Sequence, residues 1–294
     1  MKHTKYLSLA AIATGLALQP AMAEAILTGN YLKVGVNNSG ALIDSGFQVG
    51  ITYDENGTAT FPAFDFLKPG TPYEFFSAGY NGSSNAYGYY HGGLAGSVTT
   101  DTSSGGVRSA STTGGAYGAL AIAQVMSFGV NGGIIDFTVT LTNTSNSVMN
   151  DVVYARGLDP DQDVFAGGGY ETNNAILLGG DLVTGSAPIT DWTIGIYSNS
   201  SYAHHASTIN GGSWPYGNPY GLLSAGFSAY GDHTINMAWD IGSLAAGASA
   251  TINFQYRIAE TRTEVETVPD TGATLGLLGM ALVGFAALRR KIAA

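Results

Sequence analysis

From Ile135 to Thr142 the residues alternate one for one. Ile135, Phe137, Val139 and Leu141 stand between Asp136, Thr138, Thr140 and Thr142. A period of two held over eight residues marks a strand with one face buried and the other wet. The polar run Asn143-Thr144-Ser145-Asn146-Ser147 follows and Val148–Arg156 returns, so a hairpin is expected here. Ile252, Phe254, Tyr256 and Ile258 repeat the alternation after the turn-like Leu244-Ala245-Ala246-Gly247, and Asn56-Gly57 is a tight-turn signal. Tyr31–Val36, Phe47–Tyr53, Ala119–Phe128, Trp192–Tyr197 and Thr234–Trp239 also have strand composition. Between the two ends no segment keeps a 3.6-residue period over three turns, and no fixed-period repeat is visible. Glycine supplies 42 of 294 residues and charged residues only 11%, whereas 17 Tyr and 12 Phe provide core area. That balance excludes a disordered chain and a helical bundle. The expectation is an all-β, sandwich-like single domain over 24–258, with a closed barrel or a larger two-sheet sandwich as the alternative arrangements.

The two ends read as addresses. In residues 1–23, Lys2 and Lys5 precede the apolar stretch Tyr6 to Leu18, Gln19-Pro20 breaks it, and Ala21-Met22-Ala23 offers small residues at a cleavage point. This is the layout of a secretory signal peptide, leaving Glu24 as the mature start. At the other end, residues 259–267 are polar and aperiodic and read as a tether. Residues 268–294 then run in a fixed order: Val268-Pro269-Asp270-Thr271-Gly272, an apolar stretch from Ala273 to Leu288, and Arg289-Arg290-Lys291. As a helix the apolar stretch is about 24 Å long, and snorkelling basic side chains can extend it toward the ~30 Å hydrocarbon core. The basic stop is expected in the cytoplasm, with the body across the inner membrane.

This C-terminal order resembles the sorting signals of the PEP-CTERM class, most closely the VPDSG-CTERM variant, with Thr271 where that variant has Ser. The resemblance implies transient recognition by an exosortase in a Gram-negative, exopolysaccharide-making bacterium. It further implies removal of the tail near the motif and delivery to the cell surface or extracellular matrix. It covers only the end of the chain and implies nothing about what the body does.

All 21 acidic residues lie between Glu24 and Asp270, where only Lys33, Lys68, Arg108, Arg156, Arg257 and Arg262 are basic. So acidic a body repels phosphate backbones, and no nucleic-acid partner is expected. The absence of Cys excludes thiol catalysis, Cys-ligated clusters and disulfides. Asp159-Pro160-Asp161-Gln162-Asp163 puts three carboxylates at alternate positions, a set that can converge on a hard cation such as Ca²⁺, with carbonyl oxygens of Asn173 and Asn174 as further donors. It is not an EF-hand, because Val164 replaces the required Gly and Tyr170 the bidentate Glu. The plain alternative is a solvated acidic loop. The stretches Tyr73–His91 and Tyr202–Tyr220 are aromatic-rich and loop-like. Trp214, Tyr216 and Tyr220 are candidates for stacking on sugar rings, against the alternative that such rings fold over the sheet edges as satellite cores. A zinc site from His91, His204 and His205 needs both loops to meet. Gly93–Gly114 is Ser/Thr/Gly-rich and reads as a solvated hairpin or a flexible loop. No G-x-S-x-G, H-E-x-x-H or Gly-rich phosphate loop occurs, and no catalytic residue is assigned.

Taken together, the sequence predicts an exported surface or exopolysaccharide-matrix protein with a structural or adhesive, non-enzymatic role. A carbohydrate-binding module is the second reading and a polysaccharide-active enzyme of sandwich fold the third.

Overall fold

The computed structural model describes residues 24–61, 64–70, 73–210 and 217–267. The cleavage residues Ala21 and Ala23, the motif Val268–Gly272, the basic stop Arg289–Lys291, and Trp214 and Tyr216 lie outside the described residues. Among the described residues no helix is long and apolar enough to cross a membrane.

The chain forms β1 (Ala25–Thr28), β2 (Leu32–Val36), β3 (Ile51–Tyr53), β4 (Glu74–Tyr80), β5 (Ser83–Gly88), β6 (Val98–Asp101), β7 (Val107–Tyr117), β8 (Leu120–Gly129) and β9 (Ile134–Asn143). It continues through β10 (Met149–Leu158), β11 (Thr172–Leu177), β12 (Leu182–Ser186), β13 (Thr193–Ser198) and β14 (Ala203–Asn210). The short helix α1 (Pro219–Leu222) comes next, followed by β15 (Tyr230–Gly231), β16 (His233–Leu244), β17 (Ser249–Ala259) and helix α2 (Arg262–Thr267). Three antiparallel sheets result. One is β1-β2-β3, the second runs β14-β16-β10-β4-β5, and the third runs β15-β11-β12-β13-β17-β9-β8-β7-β6. The fold is all-β.

The expected alternation sets the packing. In β9 the apolar residues are buried and their neighbours turn outward, and β17 pairs with β9 so that Phe254 stands opposite Phe137. Their rings stack at 4.6 Å. The apolar faces of the five- and nine-stranded sheets share one core, in which Trp239 and Tyr154 of the former meet Phe254 of the latter. Within this core lies an ion pair with no solvent exposure. Arg156 Nε donates to Glu74 Oε1 at 2.5 Å, its Nη1 to Gln124 Oε1 at 2.9 Å and its Nη2 to the Gly40 carbonyl at 3.0 Å. Glu74 also accepts from the Tyr256 hydroxyl at 2.8 Å and the Leu42 amide at 2.6 Å. These contacts bind all three layers, since Leu42 and Gly40 belong to the segment following β2.

Several stretches without clear strand signals prove to be strands. The Ser/Thr/Gly-rich run holds β6 and most of β7, paired as a hairpin. The aromatic tract 73–91 holds β4 and β5, and β14 occupies the start of the second aromatic stretch. The polar residues 259–267, a tether by composition, end β17 and then form α2. Its Val265 is fully buried with Leu182 and Ala259, and Arg257 Nη1 donates to the Val265 carbonyl at 3.4 Å. One correctly placed apolar side chain docks the segment, and the polar majority faces water.

Candidate metal centre

Two crossings of the chain between the large sheets meet at one point. Leaving β10 in the five-stranded sheet, residues 159–163 pass toward β11 in the nine-stranded one. Asp232, between β15 and β16, lies on the return crossing. The Asp159 amide donates to the Tyr73 carbonyl at 2.8 Å and the Asp161 amide to the Phe66 carbonyl at 3.1 Å, which fixes the first crossing. Gly70, at φ +66°, lets the neighbouring loop close in. A Cβ there would stand 2.7 Å from the Tyr170 ring and 3.1 Å from Asp161 Oδ2.

Asp159, Asp161 and Asp232 thereby come together, with one oxygen from each lying within 4.8 Å of the others. A cation with oxygen ligands at about 2.3–2.6 Å spans up to roughly 5 Å between opposite ligands, so the spacing suits Ca²⁺. Asp159 and Asp161 are only 3% and 2% exposed, whereas Asp232 is exposed. The other buried acids of the described residues are saturated by donors. Asp65 accepts from the amides of Gly50, Ile51, Leu67 and Lys68. Asp44 accepts from Gln48 and Val49, Asp54 from the Thr58 to Thr60 turn, and Glu74 from Arg156. Asp159 and Asp161, in contrast, each leave a buried Oδ1 without a partner. An unpartnered buried carboxylate oxygen is costly, and a bound cation removes that cost.

The electrostatics agree. Burial, and then the Asp232 charge, raises Asp159 well above the ordinary carboxylate range. Burial, Asp159 and Asp232 push Asp161 up to about 10. Burial raises Asp232, opposed by the neighbouring His233, with Glu171 adding to the rise.

The third carboxylate of the sequence triplet is elsewhere. Asp163 adopts φ −78°, ψ −15° at the start of a 3₁₀ turn over Val164–Ala166, so the extended alternation stops there. Its oxygens accept from the Ile189 amide at 2.6 Å and from the Thr190 amide and hydroxyl at 3.1 and 2.8 Å. Asp163 is therefore a turn cap, and Asp232 completes the trio. Asn174 bonds Thr172 through its side chain, and Asn173 supplies its carbonyl to Arg262. Asp232 carries no local signal, sitting beside Gly231 and His233 far along the chain.

The histidines do not converge. His204 and His205 are neighbours on β14 and point to opposite faces. His204 bonds Asp181 Oδ1 at 2.9 Å and the Tyr202 carbonyl, His205 bonds the Ala225 carbonyl, and His91 bonds the Tyr73 hydroxyl at 2.8 Å. The Tyr220 hydroxyl donates to the Asp151 carbonyl at 2.9 Å and accepts from the Gly82 amide, pinning α1 against the β4–β5 hairpin. Of the three stacking candidates, it is the one within the described residues.

No curated protein matches the chain. Among solved structures it is similar to the α-N-acetylgalactosaminidase NagBb from Bifidobacterium bifidum, at 8% identity and a TM-score of 0.45, over 81% of this chain and 36% of that one. It is also similar to a heparan sulfate lyase HepC mutant from Pedobacter heparinus, at 7% identity and a TM-score of 0.43, over 82% of this chain and 37% of that one. A third likeness is to Slr1438 from Synechocystis sp. PCC 6803, at 10% identity and a TM-score of 0.42, over 81% of this chain and 96% of that one. The chain thus spans little more than a third of the two enzymes, and nothing about activity follows from the likeness. The tail is specific where the body is not. Over residues 267–292 it matches the VPDSG-CTERM motif family, and the chain carries a C-terminal sorting signal of the PEP-CTERM class.

Proposed function

We propose that this chain is exported, handled by an exosortase at Val268–Gly272, and delivered to the cell surface or exopolysaccharide matrix of a Gram-negative bacterium. Its apolar stretch holds it transiently in the inner membrane. Its body serves there as a non-enzymatic, structural or adhesive module locked by calcium at Asp159, Asp161 and Asp232. The sorting motif supports the address. The observation that carries the role of the body is the pair of buried carboxylates with unpartnered oxygens beside a third, exposed one. At 2–3% exposure Asp159 and Asp161 are within reach of an ion but not of a sugar ring, which favours a structural role over glycoside chemistry.

The test is thermal melting of the mature protein in chelator and in calcium. Sites in extracellular modules bind with Kd of about 10⁻⁴–10⁻³ M, so 10 mM calcium adds roughly 1.4–2.7 kcal/mol, a Tm rise of roughly 3–10 °C. Asp161→Asn is expected to raise the Tm of the metal-free protein, because Asn is neutral there without taking up a proton on folding, and to abolish the calcium response. Identical melting with and without calcium refutes the metal role, as does an Asp161→Asn protein that still responds.

A further inference from the structure

Away from the acid trio, a cleft of about 310 Å³ opens between the end of β3 and the start of β13. Its floor is aromatic. Trp192 lies 4.4 Å from Phe64 and 5.6 Å from Tyr53 by ring centroids, and Phe66 stacks behind it at 6.1 Å with planes 18° apart. The rim is polar and acidic. Asp54 is held by amides of Asn56, Thr58 and Thr60 and by the Thr58 hydroxyl, and these hydrogen bonds lower its pKa and keep it ionised. Glu55, Asn56 and Thr60 on the same turn are exposed, and among the described residues no basic side chain lines the cleft. At its inner end the Tyr53 hydroxyl is pushed up to about 12 by burial and then by the charges of Glu260, Glu264 and Glu55, so the field over the aromatic floor is negative.

Flat apolar rings beside amide and hydroxyl donors suit a sugar ring. A negative rim over an aromatic face selects a cation. We propose that the Tyr53–Phe64–Trp192 cleft binds an amino-sugar unit of a polysaccharide, with the ring on Trp192 and Phe64 and the protonated amine toward Glu55. The inference draws on the matrix reading only for where such a polymer is met. It is independent of the metal centre.

The experiment is calorimetric titration of the mature protein with glucosamine oligomers, N-acetylglucosamine oligomers, uronate oligomers and oligolysine, in chelator and in calcium. Saturable binding of the glucosamine oligomers is expected, with the N-acetylated and uronate series at least roughly tenfold weaker. Trp192→Ala is expected to abolish it, and the rim change Glu55→Gln to weaken it roughly tenfold at an unaltered Tm. Asp240→Asn, at an exposed carboxylate on β16 outside the cleft, is expected to leave it unchanged. Equal affinity for acetylated and free-amine oligomers overturns the proposal, as does binding that survives Trp192→Ala or weakens equally with Asp240→Asn. Tighter binding of oligolysine overturns it in favour of a basic peptide partner. Loss of binding in chelator assigns the ligand to the metal centre and also overturns it, whereas a calcium-independent titration beside an absent Tm response separates this outcome from failure of the metal reading.

Discussion

Replacing Glu74 by Leu tests whether the buried ion pair is one closed unit. The substitution removes the acceptor for three buried donors: Arg156 Nε, the Tyr256 hydroxyl and the Leu42 amide. Breaking one side of a buried pair costs about 3–5 kcal/mol, because the remaining charge has no water to turn to. The two further stranded donors put the cost near the upper figure, since each buried donor left unmade is worth about 1–3 kcal/mol. In a body of this size about 5 kcal/mol lowers Tm by roughly 10–20 °C. Arg156→Met alone loses less, because Glu74 keeps the Tyr256 hydroxyl and the Leu42 amide as donors and, with its pKa raised by burial, can take up a proton. The double variant Glu74→Leu/Arg156→Met leaves no buried ion and recovers much of the stability, giving a coupling of at least about 2 kcal/mol. Urea unfolding of the four proteins measures that coupling. Additive single effects, or a Glu74→Leu cost under about 1 kcal/mol, refute the reasoning.

Other expectations concern the ends of the body and its response to pH. A mature chain stopped after residue 259 loses α2 and the burial of Val265, and melts below one stopped after 267 by about 2–3 kcal/mol, or roughly 4–12 °C; equal melting shows α2 to be dispensable. In the metal-free protein, raised carboxyl pKa values mean that the folded state holds more protons than the unfolded one between about pH 4 and the Asp161 value of about 10. The contribution of this pair to stability is therefore greatest at low pH and falls as pH rises, by at most about 1.4 kcal/mol per pH unit for each proton. The calcium-induced rise in Tm grows over the same range, and a response flat from pH 5 to pH 8 contradicts that linkage. Intact-mass measurement of the exported protein is expected to find a chain ending near Val268–Gly272; retention of Arg289-Arg290-Lys291 argues against processing.

What the sequence made legible is what local periodicity controls. β9 and β17 alternate because one face of each meets the shared core, and their boundaries lie within a residue or two of the expected runs. β4 escaped because it is buried on both faces, with Phe76 and Ala78 in the main core and Phe75 in a second cluster under α1. With no wet face there is no alternation to read. β7 escaped for the opposite reason, being a Ser, Thr and Gly strand that contributes little to the core. The acidic loop was legible as a cluster and not as a site. Asp159 and Asp161 share a direction only while the chain stays extended, and the turn at Asp163 ends that. Asp232 reaches them through tertiary structure alone.

Seventy-one positions separate Asp161 from Asp232 in a chain that contains no cysteine. An ion shared between them closes a loop of the size for which a covalent bridge restricts the unfolded chain by about 4 kcal/mol. On the proposed calcium reading, such a cross-link is indifferent to reductants and opens to chelators and acid, so the tightness of the module would follow the ions around it.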